Sequence, residues 1–389
     1  MNPVASLGGA ERSLQEIFKC LREKKPDWQI GLICADFGPL IDFANNYGIK
    51  SFVLPMPRQL KEIGDSNISA NKLFGISPKS VFNLVASLPR TLRYKRELNK
   101  HLESFMPDII CSNGFKFHLL TGLSKYKQSK IVWHARDYLS NRHLMRKLIP
   151  LICNIPDVII TNSQSVKDDW INFIPHACYQ VMHNTVSIPN PFECSKNNEG
   201  LFNGFENNRI RVGLVASYAK WKGHIVYLKA IAILVNDPRM IDCNFYVIGG
   251  PIYGTQGSQW SLEELEDKCR VLGIKERVFF IPHQESINFI YRNLDIIIHA
   301  STKPEPFGRT IIEGMAHGKA IVAARGGGVD EIITDGSDAL GFDSGNEKDL
   351  AHNIKSLVVD EKLRNRLGDA GKEKVTSYFS TETGSRKVI

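Results

Sequence analysis

Short apolar runs alternate with amphipathic stretches along almost the whole chain. In the first half the strand-like runs are residues 30–35, 51–54, 108–112, 131–134 and 157–161, and in the second half 211–216, 244–249, 278–281, 294–300 and 320–323. Each has the length and apolar content of a buried parallel strand. Between them the spacing turns helical: over residues 13–22, Leu14, Ile17, Phe18 and Leu21 fall on one face. This alternation predicts βαβ units, and therefore an α/β protein whose parallel sheets carry helices on both faces.

At 389 residues the chain is too long for one comfortable core, so two domains are expected. The break falls at residues 186–208, a Pro-, Asn- and Gly-rich stretch without sustained periodicity. We therefore expect a first domain over residues 1–187, a linker over 188–208, a second domain over 209–370 and a tail helix over 371–389. The start is unusual. A helix follows Gly8-Gly9 almost at once, and the residues before it are too few for the strand that normally opens such a domain, so the first strand reads as truncated.

Composition narrows the class. The chain is 43% hydrophobic and 23% charged, as soluble globular proteins are. A net charge of +8, from 49 basic and 41 acidic residues, suits a phosphate-bearing substrate or an anionic membrane but is too diffuse for a nucleic-acid partner. The eight cysteines are scattered with no C-x-x-C pair, and Cys34, Cys111 and Cys243 lie in apolar runs, which reads as buried free thiols in a reducing compartment. No apolar run approaches a membrane span of roughly 20 residues and no signal peptide is visible, so a cytoplasmic protein is expected. Arg90, Arg93, Lys95, Arg96 and Lys100 read first as a solvated helix face, and only second as a peripheral contact with anionic lipid at the inner face of the membrane.

Polar and glycine-rich residues recur where the predicted strands end, the edge at which open parallel sheets bind ligands. In the first half these are Gly8 and Gly9, Asn113 and Gly114, then His134, Arg136 and Asp137. Lys116 and His118 are explained equally well by a helix face. In the second half they are SYAKWKG (Ser217 to Gly223), the loop opening at Gly249-Gly250, Pro282-His283, and the glycines of 326–328. The densest is EPFGRTIIE, with Glu305 on a turn and Glu313 one turn into a helix that stops at Gly318. Taken singly, a glycine pair is a tight turn and a lysine is a solvated lysine. Lys222, however, falls between a strand and a helix N-terminus, a good seat for a diphosphate. So many such loops imply two sheet edges facing each other across a cleft.

On these motifs the chain resembles glycosyltransferase family 4, the retaining enzymes of the GT-B fold, over nearly its whole length. The residues carrying the resemblance are EPFGRTIIEGMAHGKAIVAARGGGVDEI, ending its Gly-Gly-x-x-Glu loop at Glu331, with VGLVASYAKWKGH, YVIGGPIYGTQGSQ, SLGGAERS, NGFKFH, VWHARDY and VMHNTV. It implies two Rossmann-like doubly wound domains, an N-terminal one for the acceptor and a C-terminal one for the nucleotide-sugar, with the last helix crossing back to the first. It also implies roles. Glu313 holds the ribose, Glu305 meets the donor sugar, and the amides of Phe307, Gly308, Arg309 and Thr310 contact sugar and phosphate. Lys222 neutralises the departing diphosphate, and His134 lines the sugar site. Ser217, Lys220, Gly249, Gly250, Pro282 and His283 complete the donor side, while Gly8, Gly9, Asn113, Lys116, Arg136 and Asp137 belong to the acceptor side. One position departs from the pattern: Ser217 stands where many members carry an Arg, and Lys220 is the nearest substitute charge.

The implied activity is retaining transfer of a hexosyl group from a nucleotide-diphosphate sugar to a glycan or lipid-linked acceptor, as in cell-surface polysaccharide or glycolipid synthesis. No cofactor is expected beyond the sugar nucleotide as co-substrate. No metal is expected either, because no Asp-x-Asp pair stands out. Two alternatives stay open: a catalytically weakened homologue that binds nucleotide-sugar, and an epimerase of the same architecture. A nicotinamide dehydrogenase is disfavoured, since no G-x-G-x-x-G follows a strand.

Overall fold

The computed structural model describes residues 1–57, 78–123, 126, 128–143, 145–152, 154–190, 209–251, 257–284 and 287–388. It divides into two compact units, one of Met1–His183 with the last residues from Ser385, the other of Asn184–Gly384. Most of the expected linker, over residues 191–208, lies outside the described residues.

The first unit runs α1 (Gly9–Lys24), β1 (Gly31–Cys34), α2 (Pro39–Asn46), β2 (Lys50–Val53), α3 (Pro78–Phe105), β3 (Ile109–Asn113), α4 (Phe115–Gly122), β4 (Lys130–Ala135), α5 (Met145–Ile152), β5 (Val158–Thr161), α6 (Gln164–Ile171) and β6 (Tyr179–Val181). Strands β3-β4-β5-β6 form one parallel sheet and β1-β2 another. The chain's first two residues stitch them together. Asn2 N–H donates to Ile33 O at 2.9 Å, and Asn113 N–H donates to Met1 O at 2.9 Å. Met1 and Asn2 thus lie between β1 and β3 and bridge the two sheets. The apolar stripe of α1 packs Phe18 with Leu32, Leu40 and Ile41, as its helical spacing requires. Helix α3 buries Tyr94, Leu98 and Leu102, while Arg90, Arg93, Arg96 and Lys100 stand on its exposed face. Cys34 and Cys243 are buried as expected; Cys111 is exposed instead, because along β3 it alternates with inward-facing Ile110 and Ser112.

The second unit runs β7 (Ile210–Val215), α7 (His224–Leu234), β8 (Cys243–Gly249), α8 (Leu262–Val271), β9 (Val278–Pro282), α9 (Ile287–Asn293), β10 (Ile296–His299), α10 (Arg309–Ala316), β11 (Ala320–Ala324), β12 (Leu340–Phe342), α11 (Glu347–Val359) and α12 (Glu361–Tyr378). Its six-stranded sheet is wholly parallel in the order β12-β11-β10-β7-β8-β9. Every residue of β8, β10 and β11 is buried, the reason their sequences are continuous apolar runs. Alternate side chains feed opposite faces: Phe245 and Val247 join one core cluster, Tyr246 and Ile248 the other. Helix α12 runs continuously through residue 370, and this unit extends to Gly384. Among the described residues no helix is long and apolar enough to cross a membrane.

Strand order reverses at β7 and β10, which are neighbours in the sheet although β8 and β9 come between them in sequence. At such a switch point the loops leaving the two strands diverge to opposite faces and open a crevice.

Candidate functional site

The loops after β7 and β10 meet at that switch point. After β7, Lys220–Lys222 make a single 3₁₀ turn, and Gly223 follows at φ 76° as the N-cap of α7. A Cβ on Gly223 would lie 1.7 Å from Ala300 O, so only glycine lets this loop press against the end of β10. That contact delivers Lys222 to Glu305. The ammonium lies 3.0 Å from Oε1 and 2.7 Å from Oε2 of the carboxylate.

Glu305 is 9% exposed and has two further partners from β10 and the residue beyond its neighbour. Ser301 Oγ donates to Oε2 at 2.8 Å, and His299 Nε2 lies 3.2 Å from the same oxygen. Burial alone would raise the carboxyl pKa; the charge of Lys222 and the hydrogen bond from His299 outweigh it and hold Glu305 below its ordinary value. It is a buried, oriented anion.

Glu313, also buried, belongs to a second arrangement on α10. Arg309 donates to its Oε1 through Nε at 3.0 Å and Nη2 at 2.7 Å, and Tyr291 OH donates to Oε2 at 2.9 Å. Helical i,i+4 spacing brings the arginine into register. Phe307 turns inward, its ring 6.0 Å from that of Phe379, and so anchors the loop while Gly308, at φ 105°, caps α10. The loop holding Gly328 braces the same turn, with Gly328 N–H donating to Glu305 O at 2.8 Å.

The other donor-side residues spread along the edge. Ser217 is half-buried after β7. Lys220 is exposed and sits 4.7 Å from the centre of the Trp260 ring, away from the glutamates' partners. Gly249 ends β8 at φ 148° with Ala216 O so near that a Cβ would meet it at 2.0 Å; Gly250, Pro282 and His283 follow at the ends of β8 and β9. Residues 252–256 of the loop after Gly250 lie outside the described residues. Beneath the lysine loop His224 is fully buried, with neither ring nitrogen hydrogen-bonded; burial, then the charge of Lys222, lower its pKa to about 4.

The corresponding edge of the first unit is built differently. Gly8 is the N-cap of α1 and Gly9 its first residue. Glu11 accepts Gly8 N–H at 3.2 Å and the Asn2 amide at 3.1 Å. Asn113 donates to Asn2 Oδ1 at 2.6 Å and accepts from Arg136 Nε at 2.8 Å, and Arg136 Nη2 lies 3.2 Å from His134 Nδ1. His134 is 3% exposed, with Nε2 buried and unpartnered. Desolvation, with the charge of Arg136 added, holds its pKa well below the usual value. His134 is therefore a buried member of this network. Asp137 is committed to its own loop, accepting from Arg142 Nη2 at 2.6 Å and Tyr138 N–H at 2.9 Å. Lys116 is half-buried on α4.

Two family models divide the chain between them: one described as Glycosyltransferase Family 4 matches residues 7–188, and one described as Glycosyl transferases group 1 matches residues 198–374. The chain belongs to glycosyltransferase family 4. Among its relatives in this family, a D-inositol 3-phosphate glycosyltransferase of Corynebacterium kroppenstedtii is 27% identical over 280 residues, 69% of this chain and 59% of that protein. An uncharacterised glycosyltransferase of Methanocaldococcus jannaschii is 31% identical over 175 residues, 44% of this chain and 47% of that protein. The family 4 chain thus spans about half the length of the curated relatives it matches. In fold it resembles Anabaena Alr3699/HepE, solved in complex with UDP and glucose, with a TM-score of 0.77 at 21% identity, covering 99% of this chain and 96% of that one. A glycosyltransferase from Rickettsia africae gives 0.73 at 19% identity, covering 99% and 95%. These likenesses establish the GT-B fold of two Rossmann-like domains.

Three groups at these two edges, each within its own unit, escape a reading of the sequence alone. His299 closes the 294–300 run and Ser301 follows it, and polar residues closing an apolar strand are a usable signal. Tyr291 lies on the apolar face of α9 and carries none. Asn2 and Glu11 act through the two-residue stitch, which no periodicity announces.

Proposed function

We propose that this chain is a retaining, metal-independent glycosyltransferase that moves a hexosyl group from a nucleoside diphosphate sugar to a glycan or lipid-linked acceptor. The observation that carries the reading is the pair of half-buried Lys222 and buried Glu305 at the sheet's switch point, one cation and one anion held where the ligand crevice of such sheets opens. Breaking a glycosyl–phosphate bond builds positive charge on the sugar and negative charge on the diphosphate. Lys222 and the N-termini of α7 and α10 answer the negative charge, and an ionised Glu305 answers the positive one. In this reading Glu305 orients and stabilises without forming a covalent bond. Glu313, steadied by Arg309 and Tyr291, takes the ribose hydroxyls. Lys222 supplies the charge a metal would otherwise bring, so transfer is expected to persist in EDTA.

A uridine nucleotide is the first donor to test, because the similar Anabaena protein was solved with UDP and with UDP-glucose. In a thermal-shift panel of UDP-, GDP- and ADP-sugars, the donor raises the melting temperature by linkage, worth about 2.7 kcal/mol at a hundredfold excess over Kd. A panel in which no sugar nucleotide shifts the transition overturns the reading.

A further inference from the structure

The Lys222–Glu305 pair contains a conflict. The same ammonium that lies on both oxygens of Glu305 is the cation assigned to the departing diphosphate. When Lys222 turns toward phosphate, Glu305 remains in a site where only 9% of it meets solvent. A desolvated carboxylate that loses its counter-charge takes up a proton or swings out, and a protonated Glu305 no longer answers positive charge on a sugar.

At least two groups remain on the carboxylate. Ser301 Oγ donates to Oε2 at 2.8 Å, and His299 Nε2 is 3.2 Å from the same atom and 3.1 Å from Ser301 Oγ. Neither need move when Lys222 does, because His299 ends β10, a strand buried between β7 and β11, and Ser301 follows two residues later. Ser301 is pinned further: its carbonyl accepts from Ser344 Oγ at 2.9 Å. The His299 ring is 4% exposed, and its Nδ1 is buried without a hydrogen-bond partner. A proton on Nε2 lets the ring donate to Glu305 and leaves Nδ1 facing apolar surroundings. The groups facing the carboxylate include Lys222 from the turn after β7, His299 at the end of β10 and Ser301 two residues on. The loop carrying Asp330 and Glu331 meets Glu305 through the Gly328 amide on its backbone carbonyl.

We propose that His299 and Ser301 are positioning residues that keep Glu305 an oriented anion while Lys222 is transferred from it to the diphosphate of the donor. This rests on the assignment of Lys222 to the leaving group. The pair lets one lysine serve two anions in turn without a proton being drawn into the site.

The test is proton linkage on binding UDP. Calorimetry at pH 6 in two buffers of different ionisation enthalpy gives the protons taken up per UDP bound. Relative to the wild type, the His299→Leu, Ser301→Ala double variant is expected to take up about half a proton or more in addition, as linkage requires when a carboxylate's affinity for protons rises on binding. His299→Gln, whose amide nitrogen can replace Nε2–H, is expected to match the wild type. Ser301→Ala alone, which removes no ring from the core, is expected to show a smaller uptake in the same direction, and it carries the test if the double variant does not fold. UDP bound by the variants with the wild-type proton count overturns the proposal and leaves the transferase reading standing. Failure of the wild type to bind UDP, GDP or ADP overturns both.

Discussion

The two sheet edges solve one problem, holding polar groups out of water, by opposite means. In the second unit the groups are charged and paired: Lys222 with Glu305, Arg309 with Glu313. In the first unit His134 and Asn113 surround a single arginine, and His118, stacked 5.2 Å from Trp133, hydrogen-bonds Ser112 at 2.7 Å. Glu305 keeps its charge despite burial because Lys222 lies against it. Buried histidines lose theirs because desolvation outweighs every partner, which lowers His118 to about 3. One edge thus holds ion pairs, and the other holds histidines whose charging burial opposes.

The hardest test of the contrast is to remove one ion. Lys222→Met leaves Glu305 buried without its counter-charge and is expected to cost about 3–5 kcal/mol in urea unfolding at neutral pH, with a smaller loss near pH 4 where Glu305 can accept a proton. A cost below about 1 kcal/mol would show that the pair is solvated. Next, Glu313→Gln is expected to weaken nucleotide binding by about 1–3 kcal/mol, the scale of a hydrogen bond to a charged group, and an unchanged Kd by calorimetry removes the ribose assignment.

The neutral edge has its own signature. An unfolded histidine binds a proton below about 6.5, whereas buried His118 does not until about 3. In that window the unfolded state holds more protons, so stability falls as pH drops, by about 1.4 kcal/mol per pH unit for each such residue. Glu305, held low in the folded state, adds a loss only below its unfolded value of about 4.3. Acid unfolding followed by the fluorescence of Trp133 and Trp170 is thus expected to begin near pH 6, and His118→Gln to flatten its upper limb. An identical slope in the variant would remove His118 as a source. The smallest effect is expected at Tyr291→Phe, about 1 kcal/mol in nucleotide affinity through a less constrained Glu313; an effect as large as that of Glu313→Gln would mean that the tyrosine touches the ligand itself.

Much of this was legible in the chain. Each parallel strand buried on both faces writes itself as an apolar run, so the predicted runs lie within a residue or two of β1–β5 and β7–β11. β6 and β12 are three residues each, below the length at which a run can be told from chance. The glutamates and Lys222 stood out as polar residues beyond apolar ends. Their pairing did not, because proximity across the switch point is a property of strand order, and no local spacing encodes it. For the same reason no local spacing announced that His134, one of the polar strand ends, is buried beside Arg136.

That strand order has a consequence for how the molecule is made. Lys222 and Glu305 are 83 residues apart, and β7 meets β10 only after the intervening chain of β8 and β9 has been synthesised and folded alongside. Non-local pairing of this kind is the slow part of assembling a parallel sheet. Until it happens the carboxylate is hydrated and the lysine is an ordinary surface cation. The ion pair therefore comes into being only with that long-range contact, and a chain in which β7 and β10 have not yet met holds neither group in place.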